Sequence, residues 1–208
     1  MTTPEYDLLN KRQVATKINA ANLPIVSEEA APPEVGALYN RFRTNFGRPD
    51  VPGILQCFAT HPPLLDHMMS LAETMLFSDG ALGREHKELL ATFVSSGNHC
   101  RYCADSHGFF LRVHGGCEEV LQAALTCDLH SCALEPRVQS WLRFIAKVSA
   151  HSHAVTPADI DALRHDGWSD LQIAETIHLT ALFATFNRVV NAFGLSSQNL
   201  LATIQQKG

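Results

Sequence analysis

The chain has 208 residues, 46% of them hydrophobic and 18% charged, with a formal net charge of −5 at pH 7. That length suits one domain or at most two small ones, and the composition supplies a sizeable core. Lys and Arg are scattered without a basic block to neutralise phosphates, so nucleic acid is excluded as the expected partner.

Residues 1–33 read as an extended N-terminal arm, punctuated by Pro24, Pro32 and Pro33 and without a sustained apolar period. The opening Met1-Thr2-Thr3-Pro4-Glu5-Tyr6 has no basic stretch leading into an apolar run, so no signal peptide is expected. From residue 34 to 208 the pattern is that of one helical domain. A first helix is predicted from Glu34 through Leu38, Phe42 and Phe46 to Gly47. The turn-rich Gly47-Arg48-Pro49-Asp50-Val51-Pro52-Gly53 ends it. Helices then follow over Ile54–Thr60 and Pro63–Phe77, the second carrying Leu64, Leu65, Met68, Leu71 and Met75 at three- and four-residue steps.

The next helices run from Gly83 to Ser96, with Leu90, Phe93 and Val94 as the apolar stripe, and from Cys100 to His114, stopped by Gly115-Gly116. Two more are predicted over Glu118–Leu125 and Glu135–Ala150. Thr156-Pro157 with Asp159 marks a further start, closed by Gly167. Ser169-Asp170-Leu171-Gln172 has capping-box spacing and opens a last long helix that ends near Gly194. No alternating strand pattern occurs. The expectation is an all-α fold of about seven to nine helices. No run of about 18 apolar residues is uninterrupted, so no membrane span is expected. The nearest candidate, Leu171 to Phe193, is broken by His178, Asn187, Arg188 and Asn191.

Six cysteines stand at 57, 100, 103, 117, 127 and 132. In a chain of this size without a predicted signal, a reducing, cytoplasmic setting is the expectation, where a close pair serves redox chemistry or metal binding. Cys100-Arg101-Tyr102-Cys103 is such a pair. On a helix that begins near Cys100, Cys103 lies about 60° and His107 about 20° from it around the axis, so all three share one face. The helix N-terminus favours a thiolate at Cys100, and His107 follows Cys103 by one turn, within reach as acid or base. Zinc could be offered Cys100, Cys103, His99 and His107, but a second pair at structural spacing is missing, and no metal or cofactor is expected. Glu88 falls beside Thr92 and Ser95 on the polar side of its helix, where a lone Glu is ordinarily solvated. Cys57, Cys117, Cys127 and Cys132 read as small core residues, and His114 as an outer neighbour of His107.

Glu88, eleven residues, Cys100-x-x-Cys103, three residues and His107 together resemble the active-site motif of the alkylhydroperoxidase AhpD-like proteins, in the carboxymuconolactone decarboxylase superfamily. His61-Pro62-Pro63-Leu64-Leu65, Lys87-Glu88-Leu89 and Phe186-Asn187-Arg188 are similar to the peroxidase-related members. The resemblance implies an AhpD-like helical bundle, assembled as a homo-oligomer such as a trimer or hexamer. It implies thiol peroxidase or disulfide reductase chemistry on a hydroperoxide or disulfide, re-reduced by a dithiol donor. Cys103 would attack peroxide and become a sulfenic acid, Cys100 would resolve it, and Glu88 and His107 would relay the proton. The spacing puts Cys100 nearer the loop, as the more exposed thiol. One residue departs: the best-known peroxidases of the family carry His between the two Cys, where this chain has Tyr102. The other reading is a non-catalytic binding or redox-sensing protein on the same fold.

Overall fold

Proline and glycine mark the helix boundaries. A computed structural model describes residues 20–205. In it Pro33, Pro62, Pro136 and Pro157 each open a helix, where a missing N–H costs nothing. Gly47 (φ 62°) and Gly194 (φ 74°) each close one in the left-handed conformation. The helices are α1 (Pro33–Phe46), α2 (Gly53–Phe58), α3 (Pro62–Ala72), α4 (Arg84–Gly97), α5 (Arg101–Val113), α6 (Glu118–Thr126), α7 (Pro136–His151), α8 (Pro157–His165), α9 (Asp170–Phe193) and α10 (Ala202–Gln205). Eight of the ten have seven residues or more, and the described residues hold no strand. The fold class is all-α, as expected.

The predicted capping box is present, and the start predicted at Thr156 closes as a second one. Ser169 Oγ accepts from the Gln172 amide at 3.3 Å while Gln172 Oε1 accepts from the Ser169 amide at 3.0 Å. Thr156 and Asp159 close the same reciprocal pair at the start of α8. One boundary differs. The helix expected to run to Phe77 is α-helical only to Ala72 and finishes as a π turn over Glu73–Phe77. Lys87 holds that turn: its ammonium donates to the Met75 and Ser78 carbonyls at 2.9 and 3.1 Å and pairs with Glu175 at 2.6 Å.

The core is organised around α4. Its predicted stripe is buried, but so are Lys87, Glu88, Thr92 and Ser95, because α5, α6, α7 and α9 surround the helix. A helix covered on all sides must pair every polar side chain it carries inward. The long α9 crosses α4 and α7 and buries Ile173, Leu179, Leu182, Phe183, Phe186 and Val190 within the same chain. No helix among the described residues is long and apolar enough to cross a membrane.

Of the expected arm, residues 1–19 lie outside the described residues. Its remainder is extended and pinned: Ala21 donates to the Gly194 carbonyl at 3.1 Å, Val26 to that of Gln56 at 3.2 Å, and Tyr39 Oη to that of Val26 at 2.7 Å.

Candidate active site

Glu88 projects from the second turn of α4 toward α5. Its carboxylate has no solvent exposure. Oε2 lies 2.7 Å from His107 Nδ1 and Oε1 accepts from Arg84 Nε at 2.7 Å. Burial pushes the Glu88 carboxyl upward, yet the imidazole and guanidinium beside it outweigh this and hold it below the usual carboxylate range. His107 is in turn packed edge-on against Phe183 of α9 at 4.7 Å. With Nδ1 committed to Glu88, Nε2 is the ring atom left to exchange a proton, and it has no hydrogen-bond partner among the described residues.

Cys103 stands one turn before His107 and Cys100 about two, and both thiols pack with Cys57, Tyr102, Val190 and Leu195 in a small cluster of their own. Cys100 is the residue just before α5. The Cys103 thiol donates to Cys100 and lowers its ionisation, burial opposes this, and Asn187 of α9 also lowers it. Cys103 is pushed well above the ordinary thiol value, first by that same shared proton and then by burial. The two ionisations are therefore linked, with Cys100 the sulfur that gives up its proton first.

Asn187 ties the cluster to α4. It is 1% exposed, accepts from Asn98 Nδ2 at 3.0 Å and donates to Ser95 Oγ at 3.0 Å. Tyr102 is buried against α2, where the Ile54 backbone hydrogen-bonds its hydroxyl. Ile54 also lines a cavity of about 110 Å³ on the other side. The cavity walls are apolar, with Phe42, Phe46, Phe58, Phe77 and Phe186 among them, and His107 is the one ionisable side chain that lines it. The geometry thus sets a buried acid–base pair between a thiol pair and an apolar cavity.

The sequence profile of the carboxymuconolactone decarboxylase family matches residues 62–147. That stretch contains Glu88, both thiols and His107. The fold is similar to an AhpD-core, peroxidase-related protein from Ralstonia eutropha JMP134, with 25% identity over 87% of this chain and 94% of that one, and a TM-score of 0.76. A peroxidase-related protein from Silicibacter sp. TM1040 aligns with 25% identity over 88% of this chain and 95% of that one, with a TM-score of 0.73. The chain thus matches the carboxymuconolactone decarboxylase family over its central helices and has an AhpD-like fold. The debrominase Bmp8 shares the fold alone, with 19% identity over 90% of this chain and 98% of that one, and a TM-score of 0.68. No curated protein matches the sequence.

Within this AhpD-like frame, several expectations need correction. Glu88 is not a solvated residue: the polar side of α4 faces α5 and α9 rather than water. Cys100 is not the more exposed thiol, being 1% exposed against 3% for Cys103, because the chain from α9 covers the start of α5. Cys117 and Cys132 are exposed, not core. Cys57 is buried as expected, beside the thiol pair, and burial pushes it up to about 12. His99 is exposed in a left-handed turn (φ 54°). Among the described residues no three metal-ligating side chains gather. His114 lies at the end of α5, about two turns from His107.

Two residues were not singled out by sequence reasoning, Arg84 and Asn187. Arg84 sits four residues before Glu88, which is ion-pair spacing on a helix. Asn187 is a polar interruption in the long apolar helix, read as an argument against a membrane span and as part of the Phe186-Asn187-Arg188 resemblance, but not as a site residue.

Proposed function

We propose that this protein is a thiol-dependent oxidoreductase that reduces hydroperoxides through Cys103 and Cys100. The carrying observation is the buried Glu88–His107 pair, one helical turn from a thiol that is protonated at rest. A thiol held above its ordinary range needs a base beside it, and its thiolate, once formed, is the stronger nucleophile of the two. His107 takes the Cys103 proton as the sulfur attacks the terminal peroxide oxygen. The O–O bond breaks, Cys103 becomes a sulfenic acid, and the proton passes to the departing alkoxide to give the alcohol. The Cys100 thiolate then attacks the sulfenic sulfur, and hydroxide leaves as water once protonated. An external dithiol reduces the resulting disulfide by exchange, restoring both thiols. The AhpD-like fold and the peroxidase-related proteins that share it support this reading, and assembly as a homo-oligomer belongs to it.

Tyr102 takes no part in this relay. It is buried against α2, and burial raises its hydroxyl far above its ordinary value, so Glu88 and His107 act without a third proton carrier. The test is dithiol-supported turnover of an organic hydroperoxide, wild type beside Cys103→Ser and Cys100→Ser. Cys100→Ser is expected to accumulate a dimedone-reactive sulfenic acid at Cys103 without turning over. Trapping at Cys100 in Cys103→Ser instead would reverse the roles, in line with the lower ionisation of Cys100. Reaction of neither thiol faster than a small free thiol would leave the fold as a binding or redox-sensing scaffold.

A further inference from the structure

The cavity beside His107 is built for one kind of occupant. Its volume is about 110 Å³ and it is partly open to solvent, so a ring can seat there without the roughly 150 Å³ that a fully enclosed apolar cavity needs to hold benzene. Its walls already pack as aromatic pairs: Phe42 and Phe46 at 4.9 Å, Phe46 and Phe77 edge-on at 4.8 Å, Phe58 and Phe186 edge-on at 6.0 Å. A ring entering among them meets both ring faces and ring edges, the contacts that aromatic pairs prefer. Met68 lines the same space with an unbranched, polarizable chain that adapts to a ring edge. The walls offer a single ionisable group, His107, whose Nδ1 is held by Glu88 so that Nε2 is the atom left for an occupant. A ligand with two or more polar groups would bury the remainder unpaired, which costs more than the ring contacts return.

We propose that this cavity binds a single-ring aromatic molecule carrying one hydrogen-bonding substituent, with the ring among Phe42, Phe46, Phe58 and Phe186 and the substituent at His107 Nε2. The inference rests on His107 as the acid–base group of the proposed reaction, and it narrows the substrate to hydroperoxides that carry such a ring. A rigid ring also loses less conformational freedom on entry than an alkyl chain of equal volume.

The test uses the Cys100→Ser/Cys103→Ser chain, which can bind but not turn over, so failure of the redox reading and failure of the site are separate results. Titration calorimetry with phenol, toluene, cyclohexanol and hexan-1-ol is the measurement. Phenol is expected to bind saturably at one site, with toluene weaker by about fivefold for the lost hydrogen bond. His107→Leu in that background should bring phenol and toluene level. Filling the cavity with Ala72→Leu, or with Met68→Trp should the first variant lose its helical circular dichroism, should abolish phenol binding. The proposal is overturned if phenol shows no saturable binding at millimolar concentration, if hexan-1-ol binds as tightly as phenol, or if filling the cavity leaves phenol binding unchanged.

Discussion

Glu88 and His107 are nineteen residues apart in sequence and 2.7 Å apart in the structure, joined between the two central helices. In the proposed reaction the carboxylate orients the imidazole through Nδ1 and leaves Nε2 to act as the base. Glu88→Gln should therefore slow peroxide turnover by about 10²- to 10⁴-fold, the usual worth of a positioned acid–base group, with little change in the rate of thiol trapping by an alkylating reagent. Steady-state kinetics beside iodoacetamide labelling measures both. Equal labelling and equal turnover would remove Glu88 from the reaction.

The same carboxylate carries a pH signature. Its folded ionisation is depressed below the ordinary glutamate value of 4.5. The stabilisation it contributes is thus complete above that value and is lost as pH falls below it through the folded value. Urea midpoints measured between neutral pH and pH 3 should fall in the wild type and fall less steeply in Glu88→Gln.

Cys103 donates its proton to Cys100, so the two ionisations are linked. Replacing the donor, Cys103→Ala, should raise the pH at which Cys100 ionises, toward the ordinary thiol value of 9.0. Asn187→Leu should act in the same direction, since Asn187 lowers both thiols. Ultraviolet thiolate absorbance against pH reads the shift. No displacement in Cys103→Ala would mean that the proton is not shared.

Lys87 and Glu175 form a pair in which the Lys side chain is 1% exposed. Lys87→Met leaves the carboxylate short of its partner and releases two carbonyls of the π turn that forms part of the cavity wall. The expected loss is about 3–5 kcal/mol. The double variant Lys87→Met/Glu175→Met should recover much of it, because no charge is then left buried. Chemical denaturation of the three variants tests the coupling; simple additivity of the two single losses would argue against it.

Assembly is open to a direct measurement. Sedimentation equilibrium is expected to show a homo-oligomer at micromolar concentration. α9 offers little surface for it, since it buries its own apolar face inside the chain and leaves only Leu171 as a large exposed hydrophobic. Leu64 and Leu71, two turns apart on α3 and about two-fifths exposed, are the residues to replace with Lys. A monomer at that concentration would end the oligomer reading.

The sequence by itself determined the helical class and most of the helix ends. These depend on local terms: proline at a first turn, glycine where φ must be positive, and capping boxes that close within four residues. It also put Cys103 and His107 one turn apart on one face, because that face is a property of a single helix, whereas Cys100 stands just before the helix begins. What it could not determine was which way α4 faced. Counting polar residues around α4 places Glu88 in water, and only the packing of α5 and α9 over that side buries it between Arg84 and His107. The exposure of Cys100, the link from Asn187 to the thiols and the aromatic cavity were likewise decided between helices. Each depends on contacts across long sequence separations, such as Ser95 with Asn187, 92 residues apart. Periodicity within one helix carries no information about such contacts, because it records which side of a helix is apolar and not what lies opposite.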